Sequence, residues 1–291
     1  MSTVELSARS GRERILGGLF RGALFLSLGV GIVTLVWLIF SVVQEGLPRL
    51  NQDVLFHFPS SNPELAGAQS AIMGTIWVVG ITALITIPLG VGAAIYLEEY
   101  ADRDRWWNRL IELNIQNLAA VPSIVYGILG LAFFARGLFG LGQVVLAAAL
   151  TLALLVLPIV IISSREAIRA VPPSIRQGAL ALGATQWQTI WRQVLPAAIP
   201  GMATGSILAL SRAIGEAAPL VLLGALTFIT FNPEGLDSSF TVLPIQIFNW
   251  ISRPQEEFKV VAAAAIVVLL LILLAMNACA IYLRNRYQRK W

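Results

Sequence analysis

"RQGALALGATQWQTIWRQVLP", Arg176 to Pro196, is a polar, aromatic and basic island between two long stretches almost free of charge. Its own pattern reads as two short helices joined at a glycine. Pro172 and Pro173 suit a helix start, where the N–H that proline lacks has no partner anyway. Ile175, Ala179 and Leu182 then fall on one face, and Gly183 stands where a left-handed C-cap belongs. Thr185 and Gln188 have the spacing of a capping box, and Trp187, Ile190, Trp191 and Val194 follow at helical spacing up to Pro196. The stretch predicts a compact helical elbow, and what flanks it decides the fold.

The 291 residues are 57% hydrophobic and only 12% charged, a balance that belongs to an integral membrane protein. A helix needs roughly 20 apolar residues to cross the hydrocarbon core. Five charge-free runs meet that length: Ala23 to Val43, Ala68 to Leu97, Leu113 to Ala135, Gly137 to Ser164 and Val260 to Leu283. A sixth, Val194 to Gly224, is as long but contains Arg212 and Glu216. The expectation is an all-α membrane protein of six transmembrane helices. It divides into a segment 1–22, a first span 23–43, an external loop 44–67, a core 68–283 with the elbow at 165–196, and a tail 284–291. The first run is too long, and lacks a small-residue cleavage site after it, for a removable signal peptide, so it reads as a retained helix on a chain starting near Met1.

Lys and Arg fix the orientation, since they concentrate in cytoplasmic loops. Arg9, Arg12, Arg14, Arg21, Arg103, Arg105, Arg109, Arg165, Arg169, Arg176, Arg192, Arg284, Arg286, Arg289 and Lys290 fall on one side; Arg49, Arg136, Arg253 and Lys259 fall on the other. Fifteen against four places both termini and the elbow in the cytoplasm. The net charge of +4 is thus a matter of topology, and no nucleic-acid partner is needed to explain it.

Several chemistries are excluded. A P-loop needs Gly-Lys-Ser/Thr, whereas the two lysines follow Phe258 and Arg289, so the chain has no ATPase motif of its own. The sole histidine, His57, lies in the external segment between the first two spans and reads as a loop residue; no zinc-protease motif and no catalytic or metal site is expected. Cys279 is the single cysteine, which rules out an intrachain disulfide.

Charge inside a span is disfavoured by roughly 2.5–3.5 kcal/mol per group, so Arg212 and Glu216 need a reason. Four residues apart, they can pair on one helix face, which also carries Gly201, Gly205 and Ala209. Either they form a self-neutralised packing pair, or they line a route for an anion. Asn114, Gln116 and Asn117 read as a solvated helix end, Pro122 and Pro158 as kinks, and Asn277 as an interhelical hydrogen bond. The external stretch "TVLPIQIFNW" (Thr241 to Trp250) is apolar enough to re-enter the membrane edge. For the elbow, periodicity alone leaves two readings open: an amphipathic element on the lipid surface, or a docking surface for a soluble partner.

The elbow resembles the EAA loop of ABC-importer permeases. Gln177, Gly178, Ala179, Gly183, Gln193, Leu195 and Pro196 occupy the motif's frame, with Gln177 where the family has Glu and Gln193 where it has Ile. "PLGVGAAIYLEEYA" (Pro88 to Ala101), "NIQNLAAVPSIVYGILGLAFF" (Asn114 to Phe134), "LPAAIPGMATGSILALSRAIGEAAPL" (Leu195 to Leu220) and "LPIQIFNWISRP" (Leu243 to Pro254) extend the likeness in order along the chain. They resemble the PstA-type permeases of phosphate-specific ABC importers, with Ala217 in place of a usual Thr. The resemblance implies the type I ABC importer permease fold and a place in a prokaryotic plasma membrane, the inner one where there are two. It implies coupling through Gln177, Gly178, Ala179, Gly183, Leu195 and Pro196, and an anion pathway at Arg212 and Glu216. It also implies four partners: a PstC-like second permease, a dimeric PstB-like ATPase that binds ATP, an extracytoplasmic PstS-like binding protein, and phosphate. No cofactor is implied in this chain. The competing class is a self-contained ion channel or secondary carrier, which would be expected to show repeated halves or its own coupling-ion site, and would give the elbow no role.

Overall fold

The computed structural model describes residues 11–102, 104–225 and 228–287. Arg9, Arg103, Arg289 and Lys290, which contribute to the orientation count, lie outside them. Among the described residues five helices are long and apolar enough to cross a membrane, and a bent pair supplies a sixth crossing when taken as one span.

Helix α1 (Gly11–Gly46) starts before Ala23, because Ile15, Leu16, Leu19 and Phe20 continue the apolar run and the lone Arg21 does not break it. Its end is held where Gly46 meets the backbone of Ala263 and Ala264; a β-carbon there would lie 2.7 Å away. The segment 44–67 contains a short helix α2 (Gln52–Phe56), and its Val54 and Ala66 are buried in one cluster with Trp250 and Phe258.

Helix α3 (Gln69–Ile95) packs on α6 (Val145–Arg169) through small residues and threonines. Lipid offers apolar helices no hydrophobic reason to associate, so close approach and hydrogen bonds must provide it. Gly90 faces Val160 so closely that a β-carbon would come within 2.6 Å, and Ala147, Ala148 and Ala149 are fully buried. The Thr75, Thr82 and Thr86 hydroxyls donate to carbonyls four residues back, and Thr82 also reaches the Ala149 carbonyl across the interface at 3.2 Å.

The expected run 113–135 is two helices, α4 (Trp106–Ala119) and α5 (Ser123–Gly130, extended by a π-turn to Ala135), bent by 102°. Pro122 explains the break: it has no N–H to donate and pushes Val121 out of helical geometry. Ile115 is buried while Asn114, Gln116 and Asn117 are exposed, on the last two turns of α4. Pro158, by contrast, sits inside an unbroken α6. That helix begins at Val145 rather than Gly137, since Gly140 (φ 53°) and Gly142 (φ 82°) turn an apolar loop ahead of it.

The elbow follows as α7 (Pro173–Ala181) and α8 (Gln186–Thr189), then α9 (Leu195–Gly215). The run to Gly224 is not one helix. Pro219 would clash with the Gly215 carbonyl if the helix continued, so Glu216 is extended and a short α10 (Ala218–Leu223) restarts the chain. "TVLPIQIFNW" yields α11 (Leu243–Ile251), which buries Leu243, Ile245, Ile247 and Trp250 and leaves Phe248 and Ile251 exposed; the Leu243 N–H donates to the Thr75 hydroxyl at 3.0 Å. Helix α12 (Glu256–Tyr287) closes the fold against α1, α9 and α11.

Candidate functional site: the elbow and the Arg212–Glu216 pair

Helix α7 ends in a Schellman motif. Gly183 has φ +83°, its N–H donates to the Leu180 carbonyl at 2.9 Å, and the Ala184 N–H donates to the Ala179 carbonyl at 3.1 Å. The capping box of α8 is complete: the Gln188 N–H donates to the Thr185 hydroxyl at 3.2 Å, and the Thr185 N–H donates to Gln188 Oε1 at 3.0 Å. A π-turn, Ile190–Val194, then carries α8 into α9 without a break, so Gln186–Gly215 is one rod of 30 residues. Pro196 therefore does not open the span as its sequence position suggests. It stands in the first turn of α9, directly after the wider turn.

The elbow has a buried side and a bare one. Ile190, Val194 and Leu195 pack with Ala94, Ile168 and Val171, so Leu195 is an anchor of the bundle. Ala179 is half-buried, while Gln177, Gly178, Gly183, Gln193 and Pro196 are exposed. Leu182 is 91% exposed, and the Trp187 and Trp191 rings, 5.1 Å apart and inclined at 56°, are exposed as well. A side chain added at Gly178 or Gly183 would meet nothing within 4 Å. This bare, preformed apolar face is the elbow's chemical offer.

What holds the elbow in place is an ion-pair cluster that the charge count had absorbed as topology. Arg165 binds Glu98 and Glu112, each at 2.8 Å, and Arg169 reaches Glu98 at 2.7 Å. The Arg165 and Glu98 side chains are 8% and 3% exposed, so this is a buried pair. Arg176 of α7 binds Glu99 at 2.7 Å, and Gln186 donates to the Glu99 carbonyl at 2.6 Å. The partners are separated by 53 to 87 residues, so no local pattern reveals the pairing; the adjacent acids in "LEEY" were the one available hint.

At the far end of the rod, Arg212 Nε lies 3.3 Å from Glu216 Oε1. The pair forms although Glu216 stands just past the helix end. Gly201 and Gly205 are occupied with packing: β-carbons there would come within 2.8 Å of Ala167 and 2.5 Å of Ser163 on α6. Arg212 instead points away from this chain's core, its side chain 53% exposed against 17% for Glu216. The Ser211 hydroxyl bonds Asn277 of α12 at 3.1 Å, the interhelical contact that sequence suggested.

A bundle of apolar helices long enough to cross a membrane, carrying an exposed elbow, fits a class that the family match establishes: a membrane permease subunit. The chain belongs to the family of binding-protein-dependent transport system inner membrane components, whose pattern it matches over residues 86–289. It is 32% identical over 248 residues to the probable ABC transporter permease protein YqgI of Bacillus subtilis, covering 85% of this chain and 82% of that one. It is 31% identical over 274 residues to the phosphate transport system permease protein PstA of Haemophilus influenzae, covering 94% of each. Among solved structures, a bacterial alginate ABC transporter superposes with TM-score 0.69 at 15% identity, over 97% of this chain and 99% of that one. The MetNI methionine ABC transporter superposes with TM-score 0.63 at 16% identity, over 79% of this chain and 100% of that one. The fold is that of type I ABC importer permeases.

Proposed function

We propose that this chain is one of two membrane subunits of an ATP-driven importer of inorganic phosphate in a prokaryotic plasma membrane. Its expected partners are a PstC-like second permease, a dimeric PstB-like ATPase that binds the ATP, and a PstS-like phosphate-binding protein on the external side. Phosphate rests on the named PstA relatives, which match nearly the whole chain. The observation that carries the coupling role is the bare face of the elbow: a Schellman glycine with open space beside it, flanked by exposed Leu182, Trp187 and Trp191.

In this reading the elbow sits in a groove of the ATPase. Closure of the ATPase on nucleotide moves the elbow, and the Gln186–Gly215 rod carries the motion to Arg212 and Glu216. Arg212 offers a cation to the anion in transit, and Glu216 neutralises it between passages. External contacts fall to 44–67 and the segment after α10, with both termini and the elbow cytoplasmic.

The test is co-purification and reconstitution. The tagged chain, extracted gently from its native membrane, should bring an ATPase and a different permease. Liposomes holding that complex and the binding protein should take up radiolabelled phosphate on ATP addition. Recovery of the folded chain with itself alone would point instead to a channel or carrier and return the elbow to the lipid surface.

A further inference from the structure

The elbow is continuous in sequence with α6 and α9, which are therefore tied to it covalently. The hydrogen bonds give it a third connection, to the end of α3. Arg176 Nη2 binds Glu99 Oε1 at 2.7 Å, and Nε bonds the same carboxylate at 3.1 and 3.4 Å. The same guanidinium donates to the Val171 carbonyl at 2.8 Å and the Ile168 carbonyl at 2.9 Å. One side chain of α7 is thus pinned to α6, to the corner after it and to α3. Only arginine has enough donors in a fixed plane to do this; lysine would reach one or two of these acceptors. Gln186 of α8 donates to the main-chain carbonyl of the same Glu99 at 2.6 Å, so both halves of the elbow are tied to a single residue.

The end of α3 is shaped for this. Tyr96–Tyr100 is a π-turn, closed by the Ala101 N–H on the Tyr96 carbonyl at 2.8 Å. Within it the adjacent acids diverge: Glu98 turns to Arg165 and Arg169 of α6, Glu99 to the elbow. The Glu99 side chain is 9% exposed and Arg176 24%, so parting them would leave a nearly buried carboxylate without its cation.

We propose that Glu99, Arg176 and Gln186 form a strut that locks the elbow to α3, so that α3 travels with the elbow rather than serving as the fixed frame against which it moves. Glu99 and Arg176 are positioning residues. The proposal rests on the reading that an ATPase drives the elbow.

The experiment uses the assembled complex, with spin labels at Ser174 and Tyr100 in a Cys279→Ser background and, separately, at Ser174 and Leu138 in the loop before α6. Distances are measured nucleotide-free and with nucleotide trapped by vanadate. The strut predicts an unchanged Ser174–Tyr100 distance while Ser174–Leu138 shifts. A Ser174–Tyr100 distance that changes as much as Ser174–Leu138 overturns it without any mutation of the cluster. Glu99→Ala should broaden the Ser174–Tyr100 distribution and lower phosphate taken up per ATP hydrolysed roughly 2- to 30-fold, with the ATPase still bound. Unchanged coupling in that variant also overturns the strut; Glu99→Gln, which keeps the length and loses the charge, substitutes if Glu99→Ala does not assemble. Failure of the wild-type chain to retain any ATPase removes the parent reading and the strut together, an outcome distinct from loss of the strut alone.

Discussion

Gly183 is subject to two demands that can be separated. Its φ of +83° is strained for most side chains by about 1–2 kcal/mol, while asparagine tolerates this region. The space beside it is open in this chain, so any side chain there would be felt only by a partner. Gly183→Asn should therefore lower the apparent Tm of the detergent-purified chain little, yet abolish co-purification of the ATPase; Gly183→Asp should do the same or uncouple hydrolysis from uptake. An Asn variant that docks normally would leave the glycine a role in the turn alone. Arg165 is the opposite case, a residue whose work is internal. Arg165→Ala strips Glu98 of one buried cation while Arg169 remains, so a loss of roughly 3 kcal/mol, the low end for breaking a buried pair, is expected in equilibrium unfolding. Sequence made the first residue legible and hid the second for a physical reason. A capping glycine and its Thr-x-x-Gln sequel act over a few residues, whereas Glu98 and Arg165 meet only through tertiary packing.

Elements were legible where charge marked their limits and obscured where it did not. After Arg136 the loop to Val144 is as free of charge as the start of the helix it precedes, and Arg109 and Glu112 cut the first half of α4 out of the charge-free run that holds its second half. Backbone chemistry carries the missing information. Ala120-Val121-Pro122 and Ala170-Val171-Pro172 make the same corner, with both prolines at φ −56°, ψ 136° and both valine N–H groups bonded three residues back. One corner breaks a span and the other launches the elbow, so the corner itself is indifferent to context. Packing between elements is more specific. Gly205 lies against Ser163, where a β-carbon would approach to 2.5 Å. Gly205→Ala should destabilise the α6–α9 seam by about 1–3 kcal/mol, the usual cost of overpacking, and Ser163→Gly in the same chain should restore much of it. Thermal unfolding of the two variants decides; absence of rescue would mean that the seam does not set the helix spacing.

At the scale of the molecule, the elbow and the Arg212–Glu216 pair lie on one rod. From Gln186 to Arg212 an unbroken helix spans about 40 Å at 1.5 Å per residue, enough to cross the hydrocarbon core. Arg212 belongs to the rod, but Glu216 stands beyond its end on the extended link to α10, so movement of the rod against α10 changes their separation. The Arg212 side chain lies off this chain's packed core, so the pair contributes little to the chain's own packing and a variant there should fold and assemble. Glu216→Gln keeps the shape and removes the charge. It is expected to retain the second permease and the ATPase on purification, to hydrolyse ATP, and to take up phosphate at a depressed rate, because Arg212 is left without its counter-charge between passages. Uptake at the wild-type rate would show that the pair only packs. Loss of assembly would contradict the weak contribution argued from its exposure, so each outcome bears on a different step of the inference.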